Sequence, residues 1–148
     1  MPNVVTSHIF LNHIDKVWDI LRSFNGHEHW HPNVANSQIE KGEPVDKIGC
    51  IRNFRLKSGE QLKEQLLTLS DSETMFRYSI IEAPFPLFNY IAELRLIPVT
   101  VSNHCFIQWK ARFQTPSERN DELTELVKNQ VQRAGIHALE KEIFANVN

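Results

Sequence analysis

The spacing of apolar residues changes period twice along the chain. Val4 to Leu11 is rich in β-branched residues and predicts a first strand. Asn12 followed by Asp15 has the form of an N-cap with an acidic third residue. Ile14, Val17, Trp18, Leu21 and Phe24 then recur at helical spacing, leaving Asp15, Lys16, Asp19 and Arg22 for solvent. Gly26 should break this helix, and Pro32 cannot sit deep inside another. The stretch "GHEHWHPNV", Gly26 to Val34, is therefore expected to be at most a short helix flanked by loops.

From Val34 to Thr115 the period is two. "CIRNFRLKSGEQLKEQLLTLS" holds two alternating segments around "KSGE", the composition of a hairpin turn. "TMFRYSIIEA" and "NYIAELRLIPVTVS" follow, separated by "PFPLF", where Pro84 and Pro86 rule out a regular central strand. "CFIQWKARFQT" is the last strand, ended by Pro116 and Ser117. The period then becomes helical and proline-free over "NDELTELVKNQVQRAGIHALEKEIFA". Leu123, Val127 (with Leu126), Val131, Gly135 and Leu139 form an apolar stripe in steps of four. These elements predict an α+β domain spanning residues 1–148, with the terminal helix laid across the concave face of a curved sheet.

Alternation also assigns faces. Arg52, Phe54 and Leu56 share one; Leu62, Glu64 and Leu66 another; Phe76, Tyr78 and Ile80 a third. Tyr90 goes with Ala92 and Leu94, and Trp109 with Ile107, Ala111 and Phe113. Each face is mostly apolar and should turn toward the helix. Arg52 and Glu64 are the exceptions, because a charge on an apolar face needs a partner, a neutral state or water. An internal, partly wet cavity would supply the water. Gly135 in the helix stripe would leave room for it, at a helix cost of about 1 kcal/mol against Ala. The other reading is that Arg52 and Glu64 form one buried structural pair.

Composition narrows the function. Hydrophobic residues make up 41% of the 148, charged residues 23%, and the net charge is −2, so no basic excess favours nucleic acid or anionic lipid. There is no signal-type N-terminus and no apolar run of the roughly 20 residues that span a bilayer. Cys50 and Cys105 are far apart and read as two reduced thiols in a cytoplasmic protein.

Several residues then stand together in order: "VW" at Val17–Trp18, Phe24, "WHP" at Trp30–Pro32, "IGCIRNF" at Ile48–Phe54 and "SGEQLKEQL" at Ser58–Leu66. "FRYSIIEAPFPLFNY" at Phe76–Tyr90 and "QWKARF" at Gln108–Phe113 follow. In these the chain resembles the polyketide cyclase/dehydrase branch of the START-like superfamily, which includes the birch-pollen allergens and the plant abscisic-acid receptors. The resemblance implies a helix-grip fold, a seven-stranded antiparallel sheet around a long C-terminal helix, with two short helices after the first strand. It also implies a cavity for a hydrophobic small molecule such as a lipid, polyketide or aromatic metabolite. By position, Arg52, Glu64, Tyr78, Ile80, Tyr90, Trp109, Val127, Val131 and Gly135 match cavity-lining positions, and the alternation adds Phe54 and Ala111. Trp30 and Pro32 would seat the second short helix at one end of the cavity. Lys57–Glu60 is too short to serve as the Pro-containing gate loop of the hormone receptors.

Three function classes follow. A binding module needs only volume, apolar walls and a mouth. A cyclase or dehydratase would use Glu64 as general base, its pKa raised by burial, with Tyr78 or Tyr90 as proton donor and Arg52 holding an enolate or carboxylate. A metal protein would draw on His27, His29 and His31. On a helical turn His27 and His31 share a face while His29 points elsewhere, and zinc-site spacing is missing. No metal and no cofactor is therefore expected, and the three histidines are expected to face water on the lid, titrating near pH 6.5. Trp18 reads as a core anchor. Phe85, Leu87 and Phe88, in a Pro-bounded loop, would form a lip over the mouth, a surface for homodimer association, or ordinary loop packing.

Overall fold

The computed structural model describes residues 2–145. Its strands are β1 (Asn3–Phe10), β2 (Val34–Ile39), β3 (Ile51–Leu56), β4 (Gln61–Ser70), β5 (Met75–Glu82), β6 (Phe88–Val99) and β7 (His104–Gln114). They form one antiparallel sheet in the order β1-β7-β6-β5-β4-β3-β2, so the first strand pairs with the last. Helix α1 (Ile14–Leu21) and a 3-10 helix (Phe24–His29) connect β1 to β2. After β7 come α2 (Asn120–Leu126), a π-helical segment (Val127–Arg133) and α3 (Ala134–Ala145), continuous at both junctions. Among the described residues no helix is long and apolar enough to cross a membrane. This α+β arrangement, a seven-stranded sheet gripping a long C-terminal helix, is the helix-grip fold.

The sheet curves because its ladder is interrupted. Register shifts fall between Lys63 and Glu64, between Leu66 and Thr68, and between Phe88 and Ile91, and such irregularities bend a strand and raise its twist. The strand faces follow the alternation: Phe54, Leu62, Leu66, Phe76, Tyr78, Tyr90, Leu94, Trp109 and Phe113 are all buried. The β3–β4 turn over Lys57–Glu60 closes with Leu56 N–H donating to the Glu60 carbonyl at 2.8 Å, and Gly59 takes φ +103°, where a side chain would be strained.

Two local details differ from the sequence pattern. The cap of α1 is His13, whose Nδ1 accepts from Asp15 N–H, while Asn12 lies one residue before it. Gly26 does not break the helix. The chain leaves α1 at Leu21, where Asp71 binds both Trp18 Nε1 (2.8 Å) and Arg22 Nε (2.8 Å), and Gly26 sits inside the 3-10 helix. Trp18 is a buried anchor of α1.

The terminal helix also changes phase. Its buried positions run Leu123, Val127, Gln132, Gly135, Ile136, Leu139 and Ile143. The step from Val127 to Gln132 is one residue longer than an α-helical i, i+4 step, as the wider π turn requires. The turn places a polar residue in the core. Gln132 is 0% exposed, accepts from Thr6 Oγ1 at 2.7 Å and donates to the Val4 carbonyl at 3.1 Å, which ties the helix to β1. Past the turn, Gly135 meets the aromatic wall. A Cβ there would stand 2.7 Å from Trp109 Cζ3 and 3.0 Å from His31 Cδ2. The glycine admits neighbouring side chains against the helix and leaves no cavity of its own.

Gly135→Ala is therefore expected to destabilise the protein by about 1–2 kcal/mol, the overpacking penalty outweighing the ~1 kcal/mol helix-propensity gain. The measurement is a lower urea midpoint at unchanged slope.

Candidate functional site

Between the concave face and the terminal helix lies a cavity of about 380 Å³. That is near the low end of the roughly 300–1,000 Å³ typical of small-molecule sites. β3 and β4 contribute Arg52, Phe54, Leu62 and Glu64; β5, β6 and β7 contribute Phe76, Tyr78, Ile80, Tyr90, Leu94 and Trp109. The helix supplies Leu126, Val127, Gln130 and Val131, and the segment after α1 supplies His27, Trp30, His31 and Val34. Exposed Lys57, Ser58 and Gln130, with half-buried Phe85 and Leu87, mark the mouth.

Two charges are buried in this wall. Arg52 Nε and Nη2 both donate to Glu64 Oε1, at 2.9 and 2.6 Å, and Nη1 donates to the Phe24 carbonyl. The guanidinium also lies 4.0 Å from the Phe24 ring centroid, 5.0 Å from Tyr78 and 5.7 Å from Phe54. The cation is thus surrounded by π-electrons, and three of its N–H groups donate to oxygen, which repays part of its dehydration. Burial pushes the Glu64 carboxyl above the ordinary carboxylate range, and Arg52 pulls it back. Burial likewise raises the phenols of Tyr78 and Tyr90, reinforced by Glu64 nearby, so both are neutral hydroxyls at neutral pH. Their rings lie 6.5 Å apart.

The histidines are not a solvated lid. His27 is 6% exposed and His31 8%, while His29 is exposed. The 3-10 turn puts His27 and His31 on its inner side because the apolar Phe24 and Trp30 must also be buried there. His31 has a defined tautomer. Its Nδ1 accepts from Asn33 N–H at 3.2 Å, so Nε2 carries the proton and donates to the Val131 carbonyl at 3.0 Å. Asn33 Nδ2 donates to the Gln130 carbonyl at 2.7 Å. Two carbonyls of the π-helical segment thus accept hydrogen bonds from the segment that follows the 3-10 helix. His27 packs edge-on to Phe54 at 4.7 Å, and neither of its ring nitrogens has a hydrogen-bond partner among the described residues. Burial, then the Arg52 charge, holds His27 well below the ordinary imidazole value, and burial also lowers His31. Among the described residues no three His, Cys, Asp or Glu side chains converge as metal ligands would. Cys50 and Cys105 are free and buried.

The sequence-derived residues divide as follows. Arg52, Phe54, Glu64, Tyr78, Ile80, Tyr90, Trp109, Val127 and Val131 meet at the cavity, together with Trp30 and Phe85. Ala111 is buried in the core away from it, and Gly135 is filled over by Trp109 and His31. Pro32 is exposed, and Phe88 is 54% exposed at the start of β6, so neither borders the opening. Sequence reasoning missed Leu62, Leu94 and Gln130 as lining residues and His27 and His31 as buried ones. The first two share faces with lining residues, which was the available signal. Nothing in the local pattern marks His27.

The fold and the walled cavity define a helix-grip protein with an internal small-molecule-sized site. More narrowly, residues 1–143 match the model of the family described as polyketide cyclase / dehydrase and lipid transport, and the chain belongs to that family. Similar solved structures include a Bacillus thuringiensis protein, 26% identical, covering 97% of this chain and 99% of its own, with a TM-score of 0.84. A Thermobifida fusca protein, 26% identical, covers 100% of this chain and 97% of its own, with a TM-score of 0.86. Norcoclaurine synthase from Thalictrum flavum, solved with dopamine and hydroxybenzaldehyde, shares the fold at 13% identity and a TM-score of 0.78, over 99% of this chain and 88% of its own. No curated protein matches the sequence.

Two measurements test the electrostatics. Arg52→Met or Glu64→Leu alone should cost about 3–5 kcal/mol by leaving one buried charge uncompensated, and the double variant should recover most of the loss. Denaturation of the four proteins as a cycle reads the coupling. The depressed histidines set a pH dependence of definite sign. The unfolded chain binds their protons below its ordinary imidazole value of about 6.5, while the folded chain resists until lower pH. Stability is therefore complete above that value and falls as pH drops below it, by up to about 1.4 kcal/mol per pH unit for each histidine. His27→Phe should make the decline from pH 7 to 5 shallower in urea titrations.

Proposed function

We propose that residues 1–148 act as one unit that binds a hydrophobic small molecule in the cavity between the sheet and the terminal helix. One observation carries this reading. A cavity of about 380 Å³, with mostly apolar walls, opens to solvent beside the β3–β4 turn, and its buried cation, Arg52, is already paired with Glu64. Burial of the ligand's apolar surface, at roughly 25 cal/mol per Å², supplies the affinity. Membership of a family described by cyclase, dehydrase and lipid-transport activities is consistent with a small-molecule site.

A cyclase or dehydratase reading would assign Glu64 as base, Tyr78 or Tyr90 as proton donor and Arg52 as anion holder. The geometry favours binding. Two Arg52 donors converge on Glu64 Oε1 and a third goes to a backbone carbonyl, so the guanidinium that would hold a substrate anion is already committed. Holding an enolate or carboxylate on Arg52 would require that pair to open.

Filling the cavity from its helix wall tests the proposal. Leu126→Trp should weaken binding of small naphthalene probes at least tenfold while leaving the thermal transition in place, as read by calorimetry. Equal binding by the variant would place the ligand elsewhere. Glu64→Gln separates the two readings: probe binding with no turnover in either protein supports a carrier, and turnover lost only in the variant would establish catalysis.

A further inference from the structure

Three residues in the cavity wall hold polar atoms that the fold leaves unused. Trp30 Nε1, Trp109 Nε1 and both ring nitrogens of His27 are buried without a hydrogen-bond partner among the described residues. Such orphans are uncommon in native interiors, since each loses its hydration for nothing in return. Where a sequence breaks that rule at a cavity, function is the usual reason. The two indoles pack edge to face at 6.4 Å, and His27 sits on the 3-10 helix that leads into Trp30. Trp109 Nε1 lies beside the Tyr78 hydroxyl without reaching hydrogen-bond geometry, and Tyr90 adds a second hydroxyl to the same wall.

The chemistry of the set is one-sided. An indole N–H can only donate, a neutral imidazole offers one donor and one acceptor, and a phenol donates readily. The region also carries no free positive charge. Arg52 is closed on Glu64 and the Phe24 carbonyl, and His31 is occupied at both nitrogens. A carboxylate entering it would lose its hydration without gaining a counter-ion, whereas a neutral oxygen would gain donors at little desolvation cost.

Building on the binding reading above, we propose that the inner end of the cavity is a donor-rich, uncharged subsite that selects neutral ligands bearing a carbonyl-type oxygen, such as aromatic ketones or quinones. The ligand's oxygen is received by one or two of the donors that Trp30, Trp109 and His27 bring to this wall, with Tyr78 and Tyr90 in the same lining, and its apolar body packs on Leu126, Val131 and Phe85. Burial keeps His27 and both phenols uncharged, which maintains that selectivity across neutral pH.

Three naphthalene probes of similar size test this by calorimetry on the intact chain: 2-acetylnaphthalene, 2-isopropylnaphthalene and 2-naphthoate. The ketone should bind about tenfold more tightly than the hydrocarbon, the equivalent of one hydrogen bond of about 1.4 kcal/mol, and the carboxylate most weakly. His27→Phe and Trp109→Phe should each bring the ketone-to-hydrocarbon ratio toward one. His27→Phe should also raise Tm by roughly 2–4 °C, because an unpaired polar group is replaced by an apolar ring of similar shape. Equal affinity for ketone and hydrocarbon would overturn the subsite while leaving the cavity as the binding site. Tightest binding by naphthoate would overturn it in favour of an anion site. If none of the three binds, the hydrophobic-ligand reading and the subsite fall together.

Discussion

Arg52 and Glu64 face each other across a cavity wall that is otherwise mostly hydrocarbon and aromatic. Neither charge could be buried alone, so each constrains what surrounds it. The pair joins β3 to β4 at one ladder position, and the guanidinium reaches out of the sheet to the Phe24 carbonyl of the 3-10 helix. Phe24, Phe54 and Tyr78 close around the cation. One ionic contact thus sets the distance between sheet and 3-10 helix, the tilt of three aromatic rings, and the neutrality of the space they enclose. A ligand entering there meets dipoles rather than charges.

The opposite wall is held by a different device. A continuous α-helix from Asn120 would keep every backbone group within its own ladder. The π turn at Val127–Arg133 loosens the ladder where the cavity needs lining, and side chains from the segment after the 3-10 helix take up the carbonyls of Gln130 and Val131. Gln132, displaced inward by the same turn, is satisfied by Thr6 and Val4 of β1. The helix is therefore docked at its middle by hydrogen bonds from both sides, one set from each chain segment flanking α1. Apolar packing above and below, through Leu123, Val127, Leu139 and Ile143, supplies the bulk of the burial. The polar contacts choose the register.

How much of this was legible varies with the range of the interaction. Strand faces were readable because alternation is a local property: Phe54, Glu64, Tyr78, Tyr90 and Trp109 each share a face with apolar neighbours two residues away. The hairpin turn at Lys57–Glu60 was readable because Gly59 announces its positive φ. The helix stripe was readable at Leu123, Val127, Gly135 and Leu139, which are buried, and at Val131, which lines the cavity, while the π turn adds Gln132 and Ile136, which a strict four-residue step does not mark. His27 and His31 looked like surface residues because histidine is amphipathic. Their burial depends on Phe54, Trp109 and the helix, all distant in sequence.

The sequence by itself determined the element order, the inward faces of the strands and the two charges that had to find each other. Periodicity and the cost of burying a lone charge are properties of neighbouring residues and of single side chains. Only the tertiary structure decided that Gly135 is closed over by Trp109 and His31, that the helix widens at Val127–Arg133, and that His27, Trp30 and Trp109 face the cavity wall without partners. Those outcomes depend on how closely a helix and a curved sheet approach. That distance is set by the packed volume of residues far apart in the chain, which no local pattern records.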